Sequence, residues 1–183
     1  MSKVLVPLAE GFEEIEAVAI VDLLRRAGIE VRTASLAGRE VTGSHDITVL
    51  ADARLDEVDA GDYDMIVLPG GMPGTTHLKS DPRITRLLRQ FAESGRYTAA
   101  ICAAPSVLAH AGLLEGRKAT SFPGFLSPGS APGIRLSEDA VVVDGKVATS
   151  RGPGTAVPFG LALIELLEGP EARRAVQDRL QLP

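Results

Sequence analysis

The chain is poor in the residues that staple a fold, bind metal or track a polyanion. It has one cysteine, Cys102, and three histidines in 183 residues. A single cysteine cannot close an intrachain disulfide, so the core has to hold the fold, and a free thiol suits a reducing compartment. His45, His77 and His110 are scattered, and with one cysteine they show no zinc-ligand spacing, so no metal is expected. Nineteen basic against 24 acidic residues leave a net charge of -5. No Lys/Arg cluster stands out, which argues against nucleic acid and anionic membranes as partners. The first residues, "MSKVLVPLAEGFEE", hold an apolar run too short for a signal peptide or a membrane span, so a cytoplasmic location is expected. Repeats, low-complexity tracts and linkers are missing too. With 45% apolar and 23% charged residues, one soluble domain over residues 1–183 is the expectation.

What is present is alternation. Short β-branched runs, "KVLVPL", "EVRTASL", "DMIVLPGG" and "YTAAI", are separated by helical patterns such as "EEIEAVAIVDLLRRAG" and "DPRITRLLRQFAESG". The pattern predicts βαβ units and a mostly parallel sheet with helices on both faces, decorated by antiparallel hairpins around Arg39 to Leu50 and Val141 to Ser150. "TAVPFGLALIELLEG" and "EARRAVQDRL" supply closing helices, and the Pro/Gly-rich stretch Phe122 to Gly133 reads as a surface loop. In the first helix, Ala17 to Leu24 is apolar all round except for Asp22. A helix lying on a sheet needs only one apolar stripe, so the outer face is expected to pack against a second copy in a homodimer.

Cys102 sits in "AAICAAP", where a strand runs straight into a helix through one residue between small neighbours. That is the form of a nucleophile elbow, with Ala100 and Ala104 giving clearance at the crossing. A free cysteine among alanines is more often packing than chemistry. Its position decides otherwise, because ligands of open α/β sheets bind beyond the carboxyl ends of the strands. At a helix amino end the thiol is expected to be a thiolate of lowered pKa. The loop "LPGGMPG" offers unobstructed backbone N–H groups, and those of Gly71 and Ala103 are the expected oxyanion hole. Glu13 and Glu14 read as complements to the helix dipole. Glu16 shares a helical stripe with Ile20, Leu23 and Ala27, so its carboxyl is expected to face inward with a raised pKa. No histidine completes a triad: His110 lies about 12 Å along the helix from Cys102.

Taken in order, "AEGFEEIEAV", "VDLLRRAGI", "YDMIVLPGG", "AAICAAP" and "TSRGPGT" resemble the ThiJ/PfpI superfamily, in its DJ-one/YajL branch of Parkinsonism-associated protein deglycases. The resemblance spans nearly the whole chain. It implies a flavodoxin-like (class I glutamine amidotransferase-like) α/β sandwich, a homodimer, and a nucleophilic Cys102 contacted by a protonated Glu16. It also implies oxyanion and substrate-binding roles for Gly70, Gly71 and Ala103, with Arg151 and Gly152 of "SRGPG" lining the same pocket. Phe122 stands where some members carry histidine, and Ala103 stands where protease-like members place one, which disfavours a Cys-His peptidase. His45 takes the place of an arginine that relatives hold near the dimer interface. The activity implied is a cofactor-free glyoxalase III or protein deglycase acting on methylglyoxal-type 1,2-dicarbonyls or their glycated adducts. The alternative is a redox-responsive chaperone or stress sensor working through oxidation of the same cysteine.

Overall fold

The computed structural model describes residues 1–182. Strand β1 (Lys3–Leu8) leads to helix α1 (Glu14–Arg26) and strand β2 (Glu30–Ser35). A hairpin of β3 (Glu40–Thr42) and β4 (Thr48–Leu50) follows, then the short edge strand β5 (Ala53–Arg54). Next come β6 (Met65–Leu68), helices α2 (Gly74–Ser80) and α3 (Pro82–Glu93), β7 (Tyr97–Ile101) and α4 (Pro105–His110). The pair β8 (Lys118–Ala119) and β9 (Arg135–Leu136) flanks the Pro/Gly-rich loop, and β10 (Val141–Asp144), β11 (Val147–Ser150) and α5 (Ala156–Arg179) close the chain.

The main sheet runs β10-β11-β7-β6-β1-β2-β5. Every neighbouring pair is parallel except β10 with β11, which turns on Asp144 and Gly145. Side chains alternate across a strand, and β1 shows the result. Val4, Val6 and Leu8 join a core with Ile20 and Leu24 of α1 and Phe159 and Ile164 of α5. Leu5 instead faces a second core with Ile84, Leu88 and Phe91 of α3 and Val107 and Leu108 of α4. The sheet is thus covered on both faces, as the near-continuous apolar strands require. This is the flavodoxin-like α/β sandwich, with its hairpins where the sequence puts them.

Several elements depart from the sequence reading. Helix α2 begins inside a segment that reads as a loop, because Gly74, Thr75 and Thr76 are weak helix formers; buried Leu78 anchors it on the second core. The stretch "RKATSF" contributes only the two residues of β8. The two closing helices follow one another directly, broken at Gly169 (φ 87°) just before Pro170. In α3, Asp81 caps the Arg83 amide and Pro82 occupies the first turn.

Candidate functional site

Strands β11, β7, β6 and β1 are consecutive neighbours and parallel, so their carboxyl ends lie side by side. Each ends in a segment singled out by the sequence: Arg151 and Gly152 after β11, Cys102 after β7, Gly70 and Gly71 after β6, and the Glu13–Glu16 turn after β1. The topology alone gathers these residues on one edge of the sheet.

Cys102 holds a left-handed backbone, φ 64°, unusual for a residue other than glycine. The surrounding hydrogen bonds fix it there. Its N–H donates to the Ser150 carbonyl at 3.0 Å and its own carbonyl accepts from the Phe122 N–H at 2.8 Å. The elbow also needs the absence of a side chain next door. A methyl on Gly70 would lie 2.7 Å from Cys102 Cβ and 2.9 Å from both Glu16 Oε2 and the Ile101 carbonyl. Gly71, at φ 92°, lies against the backbone of Phe12 and Glu13, so it too has no room for a methyl.

Glu16 is fully buried on α1, on the inward stripe its spacing predicts. Its Oε2 accepts the Gly70 N–H at 2.8 Å. Its Oε1 is buried with no hydrogen-bond partner at hand among the described residues. Burial pushes the carboxyl up to about 7; the Gly70 amide and the Cys102 thiol pull against that rise, and the Glu13 charge adds to it. A carboxyl poised at neutrality can both accept and give a proton.

The thiol departs from expectation. Burial first, then the charge and hydrogen bond of Glu16, push Cys102 up to about 12, while the amides of Ala103 and Gly71 pull it down. The reason is geometric. Helix α4 starts only at Pro105 and has six residues, so Cys102 precedes it and gains little from its amino end, while the buried carboxyl stands beside the sulfur. The resting pair therefore keeps its proton on sulfur once Glu16 is ionised, and thiolate forms only when that proton moves to Glu16.

The two amides expected to form the oxyanion hole, Gly71 and Ala103, both act on the sulfur. Gly152 packs against the Phe122 ring, 3.3 Å from where a methyl would stand. The Arg151 guanidinium instead donates to the Glu138 carbonyl at 3.1 Å, and its backbone N–H donates to Thr155 Oγ1. Arg151 thus orders the loop after β11, with its charged group engaged away from the sulfur. All three histidines are exposed. A cleft of about 600 Å3 beyond the ends of β1 and β2, lined by Ser35, Leu36, His77 and Arg83, holds neither Cys102 nor Glu16.

Glu13 and Glu14 do more than complement a dipole. Glu13 caps α1, its Oε2 accepting the Glu16 N–H at 2.7 Å, so it fixes the turn that presents Glu16. Glu14 is buried and accepts the N–H groups of His45 at 2.7 Å and Ile47 at 3.3 Å, tying the β3–β4 hairpin to the start of α1. These contacts hold its carboxyl below the usual range against the opposing effect of burial. Sequence spacing could not reveal that role, since the partners lie some thirty positions away.

The sequence model of the DJ-1/PfpI family matches residues 2–166. Protein DJ-1 homolog A of Arabidopsis thaliana is 41% identical over 98% of this chain, which spans only 46% of that relative's length. Protein dj-1beta of Drosophila melanogaster is 44% identical, with 93% of this chain and 92% of the relative covered. A protein of Thermococcus kodakarensis named a deglycase is 34% identical over 90% of this chain and 99% of its own. The crystal structure of Drosophila melanogaster DJ-1beta superposes with a TM-score of 0.92 at 40% identity, covering 100% of both chains.

Proposed function

The chain belongs to the DJ-1/PfpI family, and from that premise we propose that it is a cysteine-dependent glyoxalase or deglycase needing no cofactor, acting on 1,2-dicarbonyls of the methylglyoxal kind or their adducts. The observation that carries the reading is the buried Glu16 carboxyl, poised at about 7 beside the Cys102 thiol. The deglycase name of the Thermococcus kodakarensis relative supports it.

In this mechanism ionised Glu16 takes the thiol proton as Sγ attacks the aldehyde carbon, which forms a hemithioacetal. The N–H groups of Gly71 and Ala103 stabilise the oxyanion. Gly70 leaves room for the tetrahedral carbon and keeps Glu16 aimed through its amide. Glu16 returns the thiol proton to that oxyanion, giving the neutral hemithioacetal, and as a carboxylate then carries the proton of the former aldehyde carbon to the neighbouring carbonyl carbon. The hemithioacetal hydroxyl gives its proton to the oxygen on that neighbouring carbon as its own C–O becomes the thioester carbonyl. Water cleaves the thioester, giving a 2-hydroxy acid and free thiol. Methylglyoxal plus water thus becomes lactate with no external oxidant. Arg151 and Gly152 shape the loop over the site rather than entering the chemistry.

We also assign the outer face of α1 to a homodimer. Ile15 and Val18 are exposed there at 59% and 53%, Val18 borders one hollow with Leu50 of the hairpin, and Ile47 of the hairpin is exposed as well, apolar surface of the kind that covers itself by symmetry. In keeping with a reducing interior, the proposed location is cytoplasmic; no helix of the described residues is long and apolar enough to cross a membrane.

The test is lactate formation from methylglyoxal by wild type, Cys102→Ser and Glu16→Gln. Loss of turnover in both variants is expected. Equal lactate from all three overturns the mechanism. Inactivity of the wild type, with clean conversion of Cys102 to sulfinate by mild peroxide, favours the redox alternative.

A further inference from the structure

We propose that Arg96, Arg117 and Lys146, together with the hydroxyl of Thr98, form a binding site for one phosphate group, free or at the end of a small ester. The site lies by the amino ends of β7 and β11, the end of the sheet opposite to Cys102, and so stands apart from the thiol chemistry. A cavity of about 170 Å3 is lined there by these four residues and by Glu115. Pockets for larger organic ligands run to about 300–1,000 Å3. A space worth about six waters, at roughly 30 Å3 each, suits instead a tetrahedral oxyanion and what is left of its hydration.

Thr98 alternates with Ala99 along β7, so it shares the face of Ala100 and Val147, toward α3 and α4. Only 1% of Thr98 is exposed, and its hydroxyl has no hydrogen-bond partner among the described residues. A buried hydroxyl left without a partner at a cavity wall is unfavourable, and a bound oxyanion relieves it. The cations around it are held in place but not neutralised. Lys146, whose carbonyl accepts the Thr98 N–H at 2.9 Å, sets its Nζ 3.9 Å from the centre of the Tyr97 ring. Arg96 stacks on Phe91, with Cζ 4.3 Å from the ring centre, and uses Nε on Ser94 and Nη1 on the carbonyls of Ala60 and Tyr63. Aromatic rings steady a cation without cancelling its charge. Of the three cations only Arg117 reaches a carboxylate among the described residues, Asp144 Oδ1 at 3.5 Å. Three cations against the single lining carboxylate of Glu115 leave the cavity positive, and guanidinium with ammonium is a donor set that suits phosphate. The sequence hides this cluster because its cations lie in three separate segments. Arg96 directly precedes β7, Arg117 precedes β8 and Lys146 precedes β11, and the sheet brings them together.

The experiment titrates the full chain with sodium phosphate, and separately with methyl phosphate, at constant ionic strength, reading the heat of binding and the unfolding midpoint. Wild type is expected to take one ion per chain. Thr98→Val keeps the shape of the side chain and Lys146→Gln its reach. Each is expected to bind about tenfold or more weakly, since each loses a hydrogen bond to a charged partner. Without phosphate, Thr98→Val should unfold no earlier than wild type, because the hydroxyl it removes has no partner. Phosphate also stabilises folded chains by exclusion from their surface, so the wild-type midpoint has to rise further than those of the variants. Saturation by phosphate alone supports the free ion as occupant, and equal saturation by methyl phosphate supports an ester end. Saturation by neither, or equal affinity in all three proteins, overturns the proposal.

Discussion

At Gly70 the difference between a hydrogen and a methyl governs the whole site. Gly70→Ala places a carbon 2.7 Å from Cys102 Cβ and 2.9 Å from Glu16 Oε2, and neither the elbow nor the buried carboxyl can retreat. Overpacking of this kind costs about 1–3 kcal/mol, to be read from the urea midpoint, and activity should fall further because the pair is forced apart. Glu16 carries a second prediction. Its pKa is raised from an ordinary 4.5 to about 7, so the folded chain binds more protons than the unfolded one between those values, and stability falls as pH rises through that window. Glu16→Gln keeps an acceptor for the Gly70 amide and removes the titration. The variant should gain on wild type by about 2–3 kcal/mol between pH 5 and 8; denaturation curves of the two proteins that stay parallel across this range contradict it.

Among the elements, the hairpin and the start of α1 depend on one carboxylate. Glu14→Ala leaves the amides of His45 and Ile47 without their acceptor, at a cost of about 1–3 kcal/mol. Hydrogen exchange at those two amides should quicken well before that of β1 or β6. This element also shows what a sequence can and cannot say. The elbow at Cys102 was legible because a strand there runs into a helix through one residue between small neighbours, and the inward face of Glu16 because its 3.6-residue spacing matches Ile20 and Leu23. The part played by Glu14 was hidden, being written in contacts some thirty residues away. Helix α2 was hidden by its own poor propensity, since tertiary burial of Leu78 forms it. The charge state of Cys102 was misread for a similar reason: local sequence shows a helix start but neither its late onset at Pro105 nor the carboxyl brought in from α1.

Over the whole molecule, two features follow from one topology. Four adjacent parallel strands end together, which assembles the site, while α1 turns one face to α5 and leaves Ile15 and Val18 outside. Replacing Val18 with Asp puts a charge on the proposed symmetric face twice over, once from each copy. Light scattering should show a dimer for wild type and a monomer for Val18→Asp, with the far-ultraviolet spectrum unchanged; a monomeric wild type contradicts the interface.

The central claim is that Glu16 activates Cys102 within a pair whose proton moves only during attack. The measurement closest to it is kcat/KM for lactate formation from methylglyoxal as a function of pH, which reports the groups of the free enzyme. The account predicts a rise through about 7 as Glu16 ionises, with no such rise in the residual rate of Glu16→Gln. A wild-type profile that is flat through neutrality, or one shared by Glu16→Gln, contradicts it.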